Sequence, residues 1–366
     1  MVLFETWTLE DYVTEAELIC EDPFWRNVER HLLWSTRHAG EVGDDIVLPP
    51  EWRVGWRVEG CGYGVEITAR HAEDVQGGHV GYSFDHPLRD PADLERLRPR
   101  TWRVDRDATR ETAGRLADCF GDLLPVVIHG TTALHGGLTG DLFRLIGNDR
   151  LLLWPYDCPD AIRRAMAYLR DDRVAYYRFL ETEGLLGANA NETLVGSGSP
   201  GFCSSLPGAA PPEGVRLQHL WLWMESQETV GISPRMFEEL FLPSMADVCR
   251  PFGLIYYGCC EPVHDRWERI VKAIPNVRAV SISPWCDMER MAEALGRRVV
   301  FSRKPRPAPI SGPRPAWDEL EADARAALRA ARDGCLEIIF RDVYRIHGER
   351  PRLSRWVQMV RGLMGA

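Results

Sequence analysis

The chain of 366 residues lacks any apolar run approaching the roughly 20 residues that span a bilayer, which excludes a membrane-crossing helix. It has no surplus of basic residues either. Acidic side chains outnumber basic ones by 54 to 44, for a formal charge of −10, and this excludes a broad cationic face for nucleic acid. The ten cysteines are scattered without the dense spacing of a secreted disulfide scaffold, so they read as reduced thiols. The first twenty residues carry Glu5, Glu10, Asp11, Glu15 and Glu17 where a signal peptide needs a basic start and an apolar block. A cytoplasmic protein is the expectation. No internal repeat is apparent.

What is present suits a large folded core. Hydrophobic residues make up 45% of the chain, with 13 tryptophans, against 27% charged residues, so the chain is expected to fold, and its acidic balance makes a small molecule the expected substrate. From about residue 115 short apolar runs alternate with amphipathic ones. The pattern predicts strands at 124–129, 215–223, 253–257, 277–281, 299–302 and 336–340, with helices at 160–183, 233–249, 262–273, 287–296 and 316–331. Strict alternation with short connections indicates parallel βαβ units, which leaves an eight-stranded barrel or an open doubly wound sheet. Residues 1–114 are irregular and rich in tryptophan, and read as an extension packed on the main body, 115–366.

Chemistry is expected where those strands end. The run Leu254-Ile255-Tyr256-Tyr257 opens into Gly258-Cys259-Cys260-Glu261-Pro262, which puts two thiols and a carboxylate at one strand terminus and makes Cys259, Cys260 and Glu261 candidate metal ligands. Other strand ends carry polar groups. His129 ends the first strand and Glu225 and Gln227 follow the second; Trp285, then Arg303 with Lys304, then Arg341 with Asp342 follow later ones. Glu225, His129 and Asp342 are candidate acid–base groups. Asn189, Asn191, Gln227, Tyr257, Trp285, Arg303, Lys304 and Arg341 are candidate substrate contacts. Gly196-Ser197-Gly198-Ser199-Pro200-Gly201 matches a dinucleotide-binding fingerprint in letters only, because Pro200 and Phe202-Cys203-Ser204-Ser205 continue as loop where that motif must enter a helix.

The segment 225–234, the turn 257–262, Ser281-Ile282-Ser283-Pro284-Trp285 and residues 90–97 together resemble the uroporphyrinogen decarboxylase superfamily, in a branch near the cobalamin-linked methyltransferases. The resemblance covers roughly residues 85–362 and implies a (β/α)₈ TIM barrel with an N-terminal extension. Methyltransferases of that superfamily bind zinc through a His-x-Cys pair followed by glycine, with a distant cysteine. Laid on this chain, the cysteine position falls on Cys259, while Tyr257 stands at the histidine and Cys260 at the glycine, so a bound zinc would need a new ligand set drawn from Cys259, Cys260, Glu225, Glu261 and His129. The decarboxylase's Arg-x-Ala-Gly-Arg grip survives only as Arg37-His38-Ala39-Gly40-Glu41, without its second arginine. The corrinoid-binding signature is absent, so a corrinoid would arrive on a partner protein. These implications make transfer of a methyl or one-carbon group at a zinc-thiolate site the leading expectation. A metal-free decarboxylase or lyase for a small carboxylate, with Arg303, Lys304 or Arg341 as anion clamps, is the alternative. The chain could also form oligomers.

Overall fold

The computed structural model describes residues 1–73 and 79–365. Its centre is a mixed α/β arrangement built on one parallel sheet. The strands in chain order are β1 (Val2–Phe4), β2 (Trp52–Gly55), β3 (Arg57–Gly60), β4 (Ala69–Glu73), β5 (His79–Phe84), β6 (Trp102–Asp105), β7 (Val126–His129), β8 (Trp221–Met224), β9 (Leu254–Tyr257), β10 (Val277–Ile282), β11 (Val300–Arg303) and β12 (Cys335–Phe340). Six of them form the sheet β1-β12-β11-β10-β9-β8, and its five pairings are all parallel. No eight-stranded sheet forms among the described residues. β7 instead pairs in parallel with β2, and β3–β6 and β4–β5 make two small antiparallel pairs.

The sheet is buried on both sides, which is why its strands read as nearly continuous apolar runs. On the outer side Leu222, Met224, Ile255, Tyr257, Val280, Ile282 and Phe301 join the main helix-packed core, while Val2, Phe4, Ile338 and Phe340 join a second core with the helix Pro351–Met364. On the inner side Trp221, Tyr256 and Ala279 pack against Ala190 and Val195 from the 190–203 loop. That loop crosses the inner face at very close range. A Cβ at Gly196 would lie 2.2 Å from the Tyr256 ring and one at Gly201 1.8 Å from the Asn189 carbonyl oxygen, so these glycines serve close packing and not a phosphate turn.

Several expectations need correction. β1 lies within residues 1–114 but is an edge strand of the main sheet, so residue 114 does not separate sheet from extension. The helix expected at 233–249 is two, Pro234–Leu240 and Leu242–Cys249, because Pro243 has no N–H to continue the ladder past Phe241. The helix expected from 262 begins only at Trp267. Helix Leu138–Asp157 was hidden by Gly147, whose φ of 81° kinks it, and by Pro155. The cap at Asp287 is present as read, with its carboxylate accepting from the Arg290 N–H at 3.1 Å. Among the described residues no helix is long and apolar enough to cross a membrane.

Candidate functional site

Parallel strands deliver their C-terminal ends to one edge, and on that edge the chain concentrates its reactive groups. Glu5 follows β1, Arg341 and Asp342 follow β12, Lys304 follows β11, the cysteine pair follows β9 and Glu225 follows β8. Two connected clusters result.

The first is cationic and thiol-bearing. Arg341 Nε lies 3.0 Å from Glu5 Oε2 and 3.8 Å from Asp342 Oδ1, and its terminal nitrogen donates to Ser197 Oγ. Ser197 Oγ in turn points at Cys259 Sγ, 3.9 Å away. Arg341 and Glu5 stand at ion-pair distance, yet neither Glu5 oxygen nor Arg341 Nε has an aligned hydrogen-bond partner, although all three atoms are buried. Proximity without alignment leaves their hydrogen-bonding capacity unused. Lys304 is buried, donates to Ser302 Oγ, and sits 5.7 Å from the Tyr256 ring centroid. Burial pulls its amine down to about 7, against the attraction of Glu337. Burial likewise pushes the Glu5 carboxyl up to about 7, opposed by Arg341.

The cysteines are held by their backbone. Gly258 at φ 89° makes the turn after β9, its carbonyl accepts from Trp223 Nε1 at 3.0 Å, and the Cys259 carbonyl accepts from Ser281 Oγ at 2.6 Å. The two sulfurs are 3.7 Å apart, with Cys260 exposed and Cys259 half-buried. The hydrogen bond between the two thiols lowers the Cys260 pKa and raises that of Cys259, and burial adds to the latter. The first thiolate therefore forms on Cys260. Iodoacetamide near neutral pH is expected to modify Cys260 at least about tenfold faster than Cys259, by peptide mapping of partly labelled protein. Faster labelling of Cys259 would contradict this ordering.

The second cluster is acidic. Glu261 is buried with its carboxylate accepting from the Ser226 N–H at 2.8 Å and the Cys259 N–H at 2.9 Å, and burial, reinforced by Glu225, pushes it up to about 7. Glu225 accepts from the Gln227 N–H at 2.9 Å and lies 3.4 Å from His135 Nε2. Burial and the Glu225 charge also raise Glu228, which accepts from Thr139 Oγ1. Sequence reasoning missed His135. No strand leads into it, and it reaches Glu225 through an isolated parallel bridge to Trp223, on whose ring it packs at 4.6 Å.

The other expected site residues are placed differently. His129 donates from Nδ1 to the Gly130 carbonyl at 2.8 Å, on the separate β2–β7 pair. Asn189 spends its amide on Trp221 and Thr132 backbone groups, and Asn191 makes an Asx turn to the Thr193 N–H, so both amides are engaged by backbone. Arg303 points to the outer side, where Asp323 and the carbonyls of Ile282 and Ser283 consume its guanidinium. Tyr257 also faces outward, with its hydroxyl 2.9 Å from Ser226 Oγ. Gln227 bonds its neighbour Glu228, and Trp285 is exposed. Arg37 is paired with Glu17 and is not free to grip an anion.

Zinc does not fit the donors as they stand. A zinc site needs at least three protein ligands around one point, and among the described residues no three His, Cys, Asp or Glu side chains converge in that way. The sulfurs supply two, while Glu261 is turned to backbone N–H groups and His129 lies on another strand pair. A cavity of about 500 Å³ between Glu289 and Gly334 lies away from this edge, which is marked by its converging chemistry.

No protein-family model matches the sequence, and no curated protein aligns with it significantly. Among solved structures it is similar to a methyltransferase from Methanosarcina mazei. That likeness spans 92% of this chain and 86% of the other at 14% identity, with a TM-score of 0.48, and at this level it carries no statement about chemistry.

Proposed function

We propose that this chain is an enzyme acting on a small carboxylate, bound between Arg341 and Lys304, and that its sheet is the larger part of a closed (β/α)₈ barrel of the uroporphyrinogen decarboxylase kind. The bridges Thr131 to Leu186 and His135 to Trp223, both parallel, support closure because they carry the pairing beyond β8. The observation that carries the function is the misaligned pair Glu5 and Arg341. Buried polar atoms without partners cost free energy, and a ligand carboxylate on the guanidinium would satisfy Arg341 while displacing Glu5.

The corresponding reaction is decarboxylation. The bond from carbon to the departing carboxylate breaks, carbon dioxide leaves, and the electron pair remaining on carbon takes a proton from the Lys304 ammonium, which water then replenishes. A buried amine near neutrality is suited to that exchange. The test is carbon dioxide release from a panel of small mono- and dicarboxylic acids. Turnover of a panel member is expected, with Arg341→Gln losing about a hundredfold in kcat/KM mainly through KM, and Lys304→Met losing mainly kcat. No turnover of any acid, or an unchanged Arg341→Gln enzyme, would overturn the assignment.

The vicinal thiols favour a second reading, methyl transfer, in which a Cys260 thiolate displaces the leaving group of a methyl donor and becomes a thioether. The donor, a small molecule or a separate corrinoid protein, lies outside the chain. Incubation with methyl donors would add one methylene mass to the Cys260 peptide. An unmodified peptide would eliminate this reading.

A further inference from the structure

At the opposite edge of the sheet, where the parallel strands begin, lies a cavity of about 410 Å³, within the range of small-molecule sites. Its wall includes three arginines. Arg278 is the second residue of β10, and Arg297 with Arg298 forms the turn into β11. All three are exposed and, among the described residues, none of them enters an ion pair. In a chain of net charge −10, whose arginines are otherwise largely paired with carboxylates, three free guanidinium groups around one hollow are an unusual concentration. Like charges held together repel, and an anion relieves the repulsion. The one acidic lining residue, Glu337, is buried and hydrogen-bonded by Ser199, so it does not neutralise the rim.

The body of the cavity is aromatic and apolar. Trp221 and Tyr256, both buried with only an edge towards the cavity, and Val300 line it from the sheet, and Phe202, itself exposed, lines it from the loop that follows the glycine-rich segment. Trp221 is fixed by donating Nε1–H to the Gly201 carbonyl at 2.9 Å. A cationic rim over an aromatic floor selects a ligand with two matching parts.

We propose that this cavity is a binding site for a phosphorylated aromatic molecule of nucleotide size, its phosphates on Arg278, Arg297 and Arg298 and its ring against Trp221 and Phe202. The mode differs from the dinucleotide fold that the letters of 196–201 imitate. Side-chain guanidinium groups hold the phosphates here, whereas the loop supplies wall and no helix N-terminus. Tyr256, and Ser199 through Ser302, connect this cavity to Lys304, whereas among the described residues the three arginines make no contact with the groups assigned to the reaction.

The probes are ADP, adenosine and inorganic pyrophosphate, titrated into the full chain by calorimetry at low salt. ADP is expected to bind at one site per chain, and adenosine and pyrophosphate each at least about tenfold more weakly, since each keeps only half of the recognition. The triple variant Arg278→Gln/Arg297→Gln/Arg298→Gln should lose at least about tenfold in ADP affinity, and the wild-type affinity should fall as salt rises. The exposed Cys335 lines the same cavity and provides a second readout, because bound ADP should slow its alkylation in the wild type and not in the variant. Absence of saturable ADP binding, equal affinity in the triple variant, or pyrophosphate binding as tightly as ADP would each overturn the proposal, the last by removing the role of the aromatic floor.

Discussion

Asn189→Ala is expected to lower the unfolding free energy by about 3–5 kcal/mol, since it leaves several buried backbone groups without partners at a cost of about 1–3 kcal/mol each. The Asn189 side chain is fully buried. Its Nδ2 donates to the Trp221 carbonyl at 3.0 Å and the Thr132 carbonyl at 3.1 Å, and its Oδ1 accepts from the Trp221 N–H at 2.9 Å. One amide thus ties the start of β8 to the 131–135 segment and to the loop that crosses the inner face. No backbone pairing replaces it at that position, because among the described residues the edge of β8 meets its neighbour through the single bridge at Trp223. Asn189→Asp should rescue little, as it keeps the acceptor but loses both donors and buries a charge. The measurement is urea unfolding. A loss below about 1 kcal/mol for the alanine variant would show that the segment is held by packing alone.

Thermal stability is expected to pass through a minimum near pH 7. In the folded protein Glu261 and Glu5 keep their protons up to about pH 7, whereas carboxyls in the unfolded chain release them near 4.5. Between those values the folded state binds more protons, so stability falls as pH rises. Lys304 acts in the opposite sense. Its unfolded amine holds a proton to about 10.5 and its folded amine releases it near 7, so above pH 7 the unfolded state binds more protons and stability rises with pH. For fully buried groups such as Glu261 and Lys304 each limb is on the order of 3 kcal/mol. Carboxylates held low by partners, such as Glu17 with Arg37, lose their contribution only below the ordinary carboxyl range and leave the window from pH 5.5 to 9 undisturbed. Calorimetric melting across that window should show the trough, and Glu261→Gln should flatten its acid side. A melting temperature that rises steadily from pH 5.5 to 7 would rule out protonated carboxyls in the folded site.

Much of the sheet was legible because its strands are apolar on both faces. The runs expected at 253–257, 277–281, 299–302 and 336–340 appear as β9 to β12 with boundaries shifted by a residue or so. β1 was not legible, since three apolar residues at the start of a chain carry no period, and only pairing with Ile338 to Phe340 makes them a strand. In the candidate site, position along a strand was readable but direction was not. Arg303 and Lys304 are adjacent in sequence and lie on opposite faces, so one is locked to Asp323 outside while the other enters the inner cluster.

By itself, then, the sequence determined the alternation of parallel strands and helices, the placing of thiols, carboxylates and cations at strand ends, and the lack of any membrane-spanning helix. These follow from local periodicity and composition, which neighbouring residues carry between them. Only the tertiary structure decided that Glu5, from the first strand, stands against Arg341 from the last, that His135 and not His129 reaches Glu225, and that the glycine-rich loop packs on Tyr256. Each of those contacts joins segments distant in the chain, and their geometry depends on sheet order and on which face each side chain takes, quantities that exist only once the strands have paired.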